Sequence, residues 1–143
     1  MEPRIAYAKA APGASRAMYA LETYVRQCGL EPSLLELVKT RASQINGCAY
    51  CLDMHWKDAR AAGETEHRLY GLDAWREYSI YTQRERAALE LCEAMTLIAD
   101  FHVPDGVWNL AAGAFPEEEL AQLVFAIATR ARPGPYRPPA PVP

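Results

Sequence analysis

Long apolar runs are missing from this chain. No stretch approaches the roughly 18 consecutive apolar residues of a membrane span, and Met1 to Ala10 lacks the positive start and apolar run of a secretion signal. These absences predict a cytoplasmic protein with no membrane partner. Clusters of Lys or Arg are missing too: 15 basic and 18 acidic side chains leave a net charge of −3 with no concentrated phosphate-binding surface, which argues against nucleic acid as a partner. No segment sustains the alternation of a half-buried strand, and no internal repeat is visible. Cysteine is scarce as well. In a reducing compartment four cysteines do not form a staple framework, and a close Cys-x-x-Cys reads as metal-binding or redox-active.

What is present is enough apolar material, 50% of 143 residues, for one complete core. The pattern predicts an all-α fold, an antiparallel helical bundle occupying residues 1–131, followed by residues 132–143 as a tail. From Pro133 onward six of eleven residues are proline, which removes backbone donors and predicts an extended, mobile segment.

Helix signals punctuate the rest. Ser15 reads as the N-cap of a first helix with Met18, Leu21, Val25 and Cys28 on one face, ended by Gly29. Pro32 suits the first position of a second helix that turns Leu34, Leu35, Val38, Ala42 and Ile45 inward, and Asn46-Gly47 stops it. A third helix runs from about Cys48 to Ala62 before Gly63, and Thr65 to Leu72 reads as a short one. Asp73 to Tyr81 fits a turn or a helix equally. Thr82 and Glu85 have the spacing of a capping box and open a long helix whose period holds through Ala99. Val107 to Ala112 and Glu117 to Arg130 complete the set.

The third helix carries the chemistry. At about 100° per residue, steps of 3 and 7 from Cys48 place Cys51 and His55 on its stripe. Residues three apart have Cβ atoms about 5 to 6 Å apart, so the two thiols can close into a disulfide without unfolding the helix. Cys48 lies at the helix start, where the dipole favours a thiolate, and Cys51 lies one turn before His55. Spacing alone does not decide which sulfur attacks first. Glu36 lies roughly 13 Å before Ile45 along its helix and His55 roughly 10 Å beyond Cys48, so an antiparallel hairpin brings the two nearly level. A carboxylate there could orient the imidazole and complete a relay of Glu36, His55 and Cys51; a solvated helix residue satisfies the same period.

Glu36, Cys48, Cys51 and His55, with Arg41-Ala42-Ser43-Gln44-Ile45-Asn46-Gly47-Cys48, resemble the carboxymuconolactone decarboxylase family in its alkylhydroperoxidase D-like branch. The likeness extends from about Met1 through Arg130 and includes Lys57 to Glu66 and Leu72 to Glu77. The resemblance implies a small helical subunit that assembles into trimers or hexamers and reduces hydroperoxides with a peroxiredoxin-type activity. It implies that Cys51 attacks the peroxide, Cys48 resolves the sulfenic acid into a disulfide, and an external dithiol or disulfide reductant restores the thiols, with Glu36 and His55 as proton relay. No cofactor and no metal are implied. Tyr50 departs from the best-characterised members, which carry a histidine there; a phenol does not serve as a base near neutral pH, so turnover should be weak.

Three other readings use the same residues. Two thiolates, an imidazole and a carboxylate are a donor set for zinc, although three ligands on one helical stripe converge poorly. A decarboxylase or lactone-processing activity could share the fold but needs no closable thiol pair. A non-catalytic oligomer subunit could use the thiols only to sense oxidation. His67 and His102 have no acid or thiol at helical spacing, Cys28 and Cys92 read as small core residues, and Trp56 adjoins His55 as a possible pocket aromatic.

Overall fold

Pro12, with no N–H to satisfy and φ already near helical, opens the first substantial helix of this computed structural model, which describes residues 5–129. A single turn, α1 (Tyr7–Ala10), precedes it, and α2 runs Pro12–Gln27. The expected cap at Ser15 is therefore corrected: Ser15 is buried inside the helix, its N–H already donating to Ala11 O at 3.0 Å. Gly29 turns the chain with φ +99°. Then α3 (Pro32–Ile45) and α4 (Ala49–Ala61) form a tight hairpin whose corner is Gly47 at φ +60°. Asn46 stays right-handed, so glycine alone makes the stop.

After Gly63 come α5 (Glu66–Tyr70) and a 3₁₀ turn at Leu72–Ala74. The Thr82–Glu85 capping box is formed in both directions and opens α6 (Gln83–Thr96). The long helix expected through Ala99 is broken: Leu97 leaves helical geometry and Ile98–Phe101 makes a separate turn, α7. Two more helices follow, α8 (Asp105–Ala114) and α9 (Glu117–Ala128). All regular elements among the described residues are helical, and no helix there is long and apolar enough to cross a membrane. Residues 130–143, including the proline-rich stretch, lie outside the described residues.

The central element is α3, packed against α4, α6 and α9. Leu34, Leu35, Val38 and Ala42 join Val25, Leu91, Cys92, Leu123 and Ile127 in the larger core, while Leu37 faces the other way to join Ala59, Leu72, Trp75 and Leu89. A helix covered on nearly every side buries its polar residues too, and Glu36, Lys39, Thr40 and Ser43 are all buried. Buried charges need partners, so this helix is where polar chemistry concentrates.

The stretch 73–81 is held from outside. Glu93 on α6 accepts from Trp75 Nε1 at 2.8 Å, Arg41 Nε at 2.8 Å and Arg76 Nη1 at 2.6 Å. Burial alone would raise the Glu93 carboxyl, but these donors outweigh it and hold the group below its usual value. Glu22 is lowered likewise, burial being outweighed by Lys39 and Arg26. Carboxyls depressed in the native state contribute stability above their unfolded value of 4.5 and lose it as pH falls through the depressed native value. The melting temperature is therefore expected to fall steadily as pH drops from about 5 toward 3, and less steeply in Glu93→Gln. A melting temperature flat across that window would refute the assignment. At neutral pH, Glu93→Ala should cost about 3 kcal/mol in urea unfolding, because it leaves the buried Trp75 indole N–H without its acceptor and takes a carboxylate from Arg41 and Arg76.

Candidate functional site

The α3–α4 corner builds the site from local rules. Cys48 follows Gly47 in extended geometry (φ −88°, ψ 95°) and is the N-cap of α4, so the helix begins one residue later than the spacing suggests. Its sulfur accepts a hydrogen bond from Cys51 N at 3.3 Å, the place a serine or aspartate oxygen commonly takes. That donor and the helix start both favour negative charge on Cys48. Cys48 and Cys51 are joined as a disulfide with Cα atoms 5.3 Å apart. Cys48 is half-buried, whereas Cys51 is 9% exposed.

One turn further along α4 lies His55, 2% exposed, and the hairpin sets it against Glu36 of α3. Nδ1 of His55 lies 2.9 Å from Oε2 of Glu36. A carboxylate only accepts, so Nδ1 carries a proton, and in the neutral ring Nε2 keeps a lone pair. Nε2 is buried with no hydrogen-bond partner. A buried ring nitrogen without a partner is a group chemically able to receive or give a proton. The structure thus joins Cys48 to Cys51 and Glu36 to His55, with Cys51 and His55 one turn apart on α4.

Around this pair lies a set of charges that the sequence pattern did not reveal. Lys39 Nζ, 1% exposed as a side chain, donates to Glu22 Oε1 at 2.7 Å. Arg26 on α2 donates to the same carboxylate at 3.0 Å and to Asp58 on α4 at 3.3 Å. Oxygens of Glu36 and Asp58 and a ring nitrogen of His55 all lie within 4.8 Å of one another. These three could share a cation, but Arg26 already places a positive charge on Asp58, and no metal is assigned to the cluster. A faint signal was available: Glu22 and Arg26 are one turn apart, Lys39 follows Glu36 by three, and Asp58 follows His55 by three.

The remaining candidates fall elsewhere. His67 packs edge-on against Tyr78 with ring centroids 5.5 Å apart, and His102 is exposed between α7 and α8. Cys92 is buried in the larger core and its thiol donates to Val38 O at 3.2 Å, while Cys28 packs against that core and donates to Val25 O. Trp56 is 43% exposed.

Residues 12–94 match the profile described as the carboxymuconolactone decarboxylase family. The chain is 43% identical over 127 residues to the uncharacterized protein YdfG of Bacillus subtilis, covering 89% of this chain and 86% of that one. It is 29% identical over 99 residues to the uncharacterized protein YnjA of Escherichia coli, covering 68% of this chain and 53% of that one. Among solved structures, a crystal structure from Agrobacterium tumefaciens superposes with a TM-score of 0.85 at 43% identity, covering 90% of this chain and 88% of that one. That protein is described as of unknown function and assigned provisionally to antioxidant defence as AhpD.

Proposed function

The chain belongs to the carboxymuconolactone decarboxylase family, in its alkylhydroperoxidase D-like branch, and from that premise we propose that it reduces hydroperoxides through the Cys48/Cys51 pair. The observation that carries this reading is the buried Glu36–His55 hydrogen bond, one helical turn from Cys51, with His55 Nε2 open.

In the reduced protein His55 takes the proton of Cys51, and Glu36 orients the ring and stabilises the imidazolium. The Cys51 thiolate attacks the outer peroxide oxygen, the O–O bond breaks, and the leaving alkoxide takes the proton from His55 to depart as alcohol. Cys51 is now a sulfenic acid. Cys48 attacks the sulfenic sulfur, its thiol proton leaves with the displaced hydroxide as water, the S–S bond forms, and two electrons have passed from the thiols to the peroxide. An external dithiol then exchanges with the disulfide, is itself oxidised, and returns both thiols. The half-buried Cys48 is the sulfur better placed for that encounter. Tyr50 adds no base beside Cys51, so turnover should be modest.

The family relationship favours a homo-oligomer, trimer or hexamer. Exposed Phe101, Trp108, Leu110 and Phe125 offer apolar surface for such an assembly. Decarboxylation would leave the closable thiol pair without a role.

Stopped-flow mixing of reduced protein with hydrogen peroxide and with an organic hydroperoxide tests the proposal. The expected result is rapid loss of both thiols and a Cys48–Cys51 disulfide by mass spectrometry. Thiols that persist in excess hydroperoxide would sink it.

A further inference from the structure

The relay pair sits inside an ion cluster drawn from three helices. From α2 come Glu22 and Arg26, from α3 Glu36 and Lys39, and from α4 His55 and Asp58. The chain of contacts runs Lys39–Glu22 at 2.7 Å, Glu22–Arg26 at 3.0 Å and Arg26–Asp58 at 3.3 Å, and Asp58 approaches both Glu36 and His55 within 4.8 Å. The other acid–base pair on α4, Asp53–Lys57, is largely exposed and takes no part.

Asp58 is a second carboxylate beside a pair that already contains one. By itself it would hold protons on its neighbours more tightly, since a nearby negative charge disfavours thiolate and favours imidazolium. Arg26 opposes that effect at close range. Its own proton is held more firmly than usual: burial acts the other way but is outweighed by Glu22 and Asp58, with a further contribution from Glu36.

We propose that Arg26 and Asp58 are positioning residues of opposite sign that set the proton affinity of the Glu36–His55 pair, so that α2 helps decide the pH at which the relay holds its proton. The inference deepens the relay reading above and rests on it for its biological meaning. Neither residue touches the peroxide; each acts through the charge it places beside Glu36 and His55.

The test is the pH titration of the His55 ring in the reduced full-length chain, followed by NMR of the ring nitrogens. Arg26→Met keeps much of the apolar stem and removes the charge, and should move the midpoint up by about half a unit. Asp58→Asn should move it down by a similar amount, and the double variant should return close to the parent. Arg26→Lys should retain the parent midpoint. Both side chains are 39% exposed, which screens the interaction and keeps the shifts modest. Loss of packing alone cannot produce opposed shifts that cancel. Shifts of the same sign, or midpoints unmoved in both single variants, would overturn the proposal. Should Arg26→Met not fold, the direction of the Asp58→Asn shift and the Arg26→Lys midpoint decide it. The titration uses no peroxide, so a peroxide-inert protein with opposed shifts would overturn the peroxidase reading and leave this one standing.

Discussion

Cys51→Ser is expected to reduce hydroperoxide consumption to the uncatalysed background, a loss on the order of 10³-fold or more. A serine hydroxyl does not ionise near neutral pH, and no disulfide can close on it. The partner substitution should behave differently. Serine is a preferred N-cap, so Cys48→Ser keeps the acceptor that Cys51 N uses at the start of α4, and the helix should survive. That variant should consume about one equivalent of peroxide and stop, leaving a sulfenic acid on Cys51 that dimedone traps. Single-turnover kinetics with residue-resolved mass spectrometry read both outcomes. A burst retained by Cys51→Ser and lost by Cys48→Ser would exchange the two roles, a result that the N-cap position of Cys48 makes worth measuring.

Glu36→Gln is expected to lower the rate of the first oxidation about 10²-fold or more near neutral pH, with little change in fold. Glutamine has nearly the same volume and its oxygen can still accept from His55 Nδ1, so the 2.9 Å contact has a neutral substitute. What is lost is the charge that stabilises the imidazolium once the Cys51 proton arrives. The amide can also turn its NH₂ toward the ring and select the wrong tautomer. The deficit should shrink as pH rises toward about 9, because a free thiol titrates near 8.5 and bulk base then does the work of the relay. A deficit of equal size at every pH would mean that Glu36 supports the hairpin rather than the proton transfer. A melting temperature measured alongside separates the two.

The parts of the structure readable from sequence are those with local causes. Pro32 starts α3, Gly47 ends it with a positive φ, and Thr82 with Glu85 forms the capping box, each depending on residues within a turn of one another. The Cys48–Cys51–His55 stripe is of the same kind. Glu36 is one step further: its match to His55 follows from the rise per residue on two antiparallel helices joined by a short corner. Ser15 misleads because a good capping residue lies just inside a helix that Pro12 had already begun, and Leu97 interrupts a period that continues on either side of it. Residues 73–81 had no local answer. Trp75 is fixed by Glu93 of α6, while Arg86 donates to the carbonyl oxygens of Tyr78 and Tyr81, contacts that no period encodes.

Glu22, Arg26, Lys39 and Asp58 show where sequence reading stops. On a helical wheel a charged residue reads as solvated, and four charges on three helices have no spacing in common. Burial of α3 on nearly every side turns Lys39 from a surface charge into an interior one, and α2 supplies its partner. Residue order determined the helices, the thiol pair and the imidazole beside it, because a hydrogen-bonded helix positions groups by counting. The ion cluster around that imidazole was decided only when the helices assembled, since electrostatic coupling depends on distance through space and on the water excluded between them.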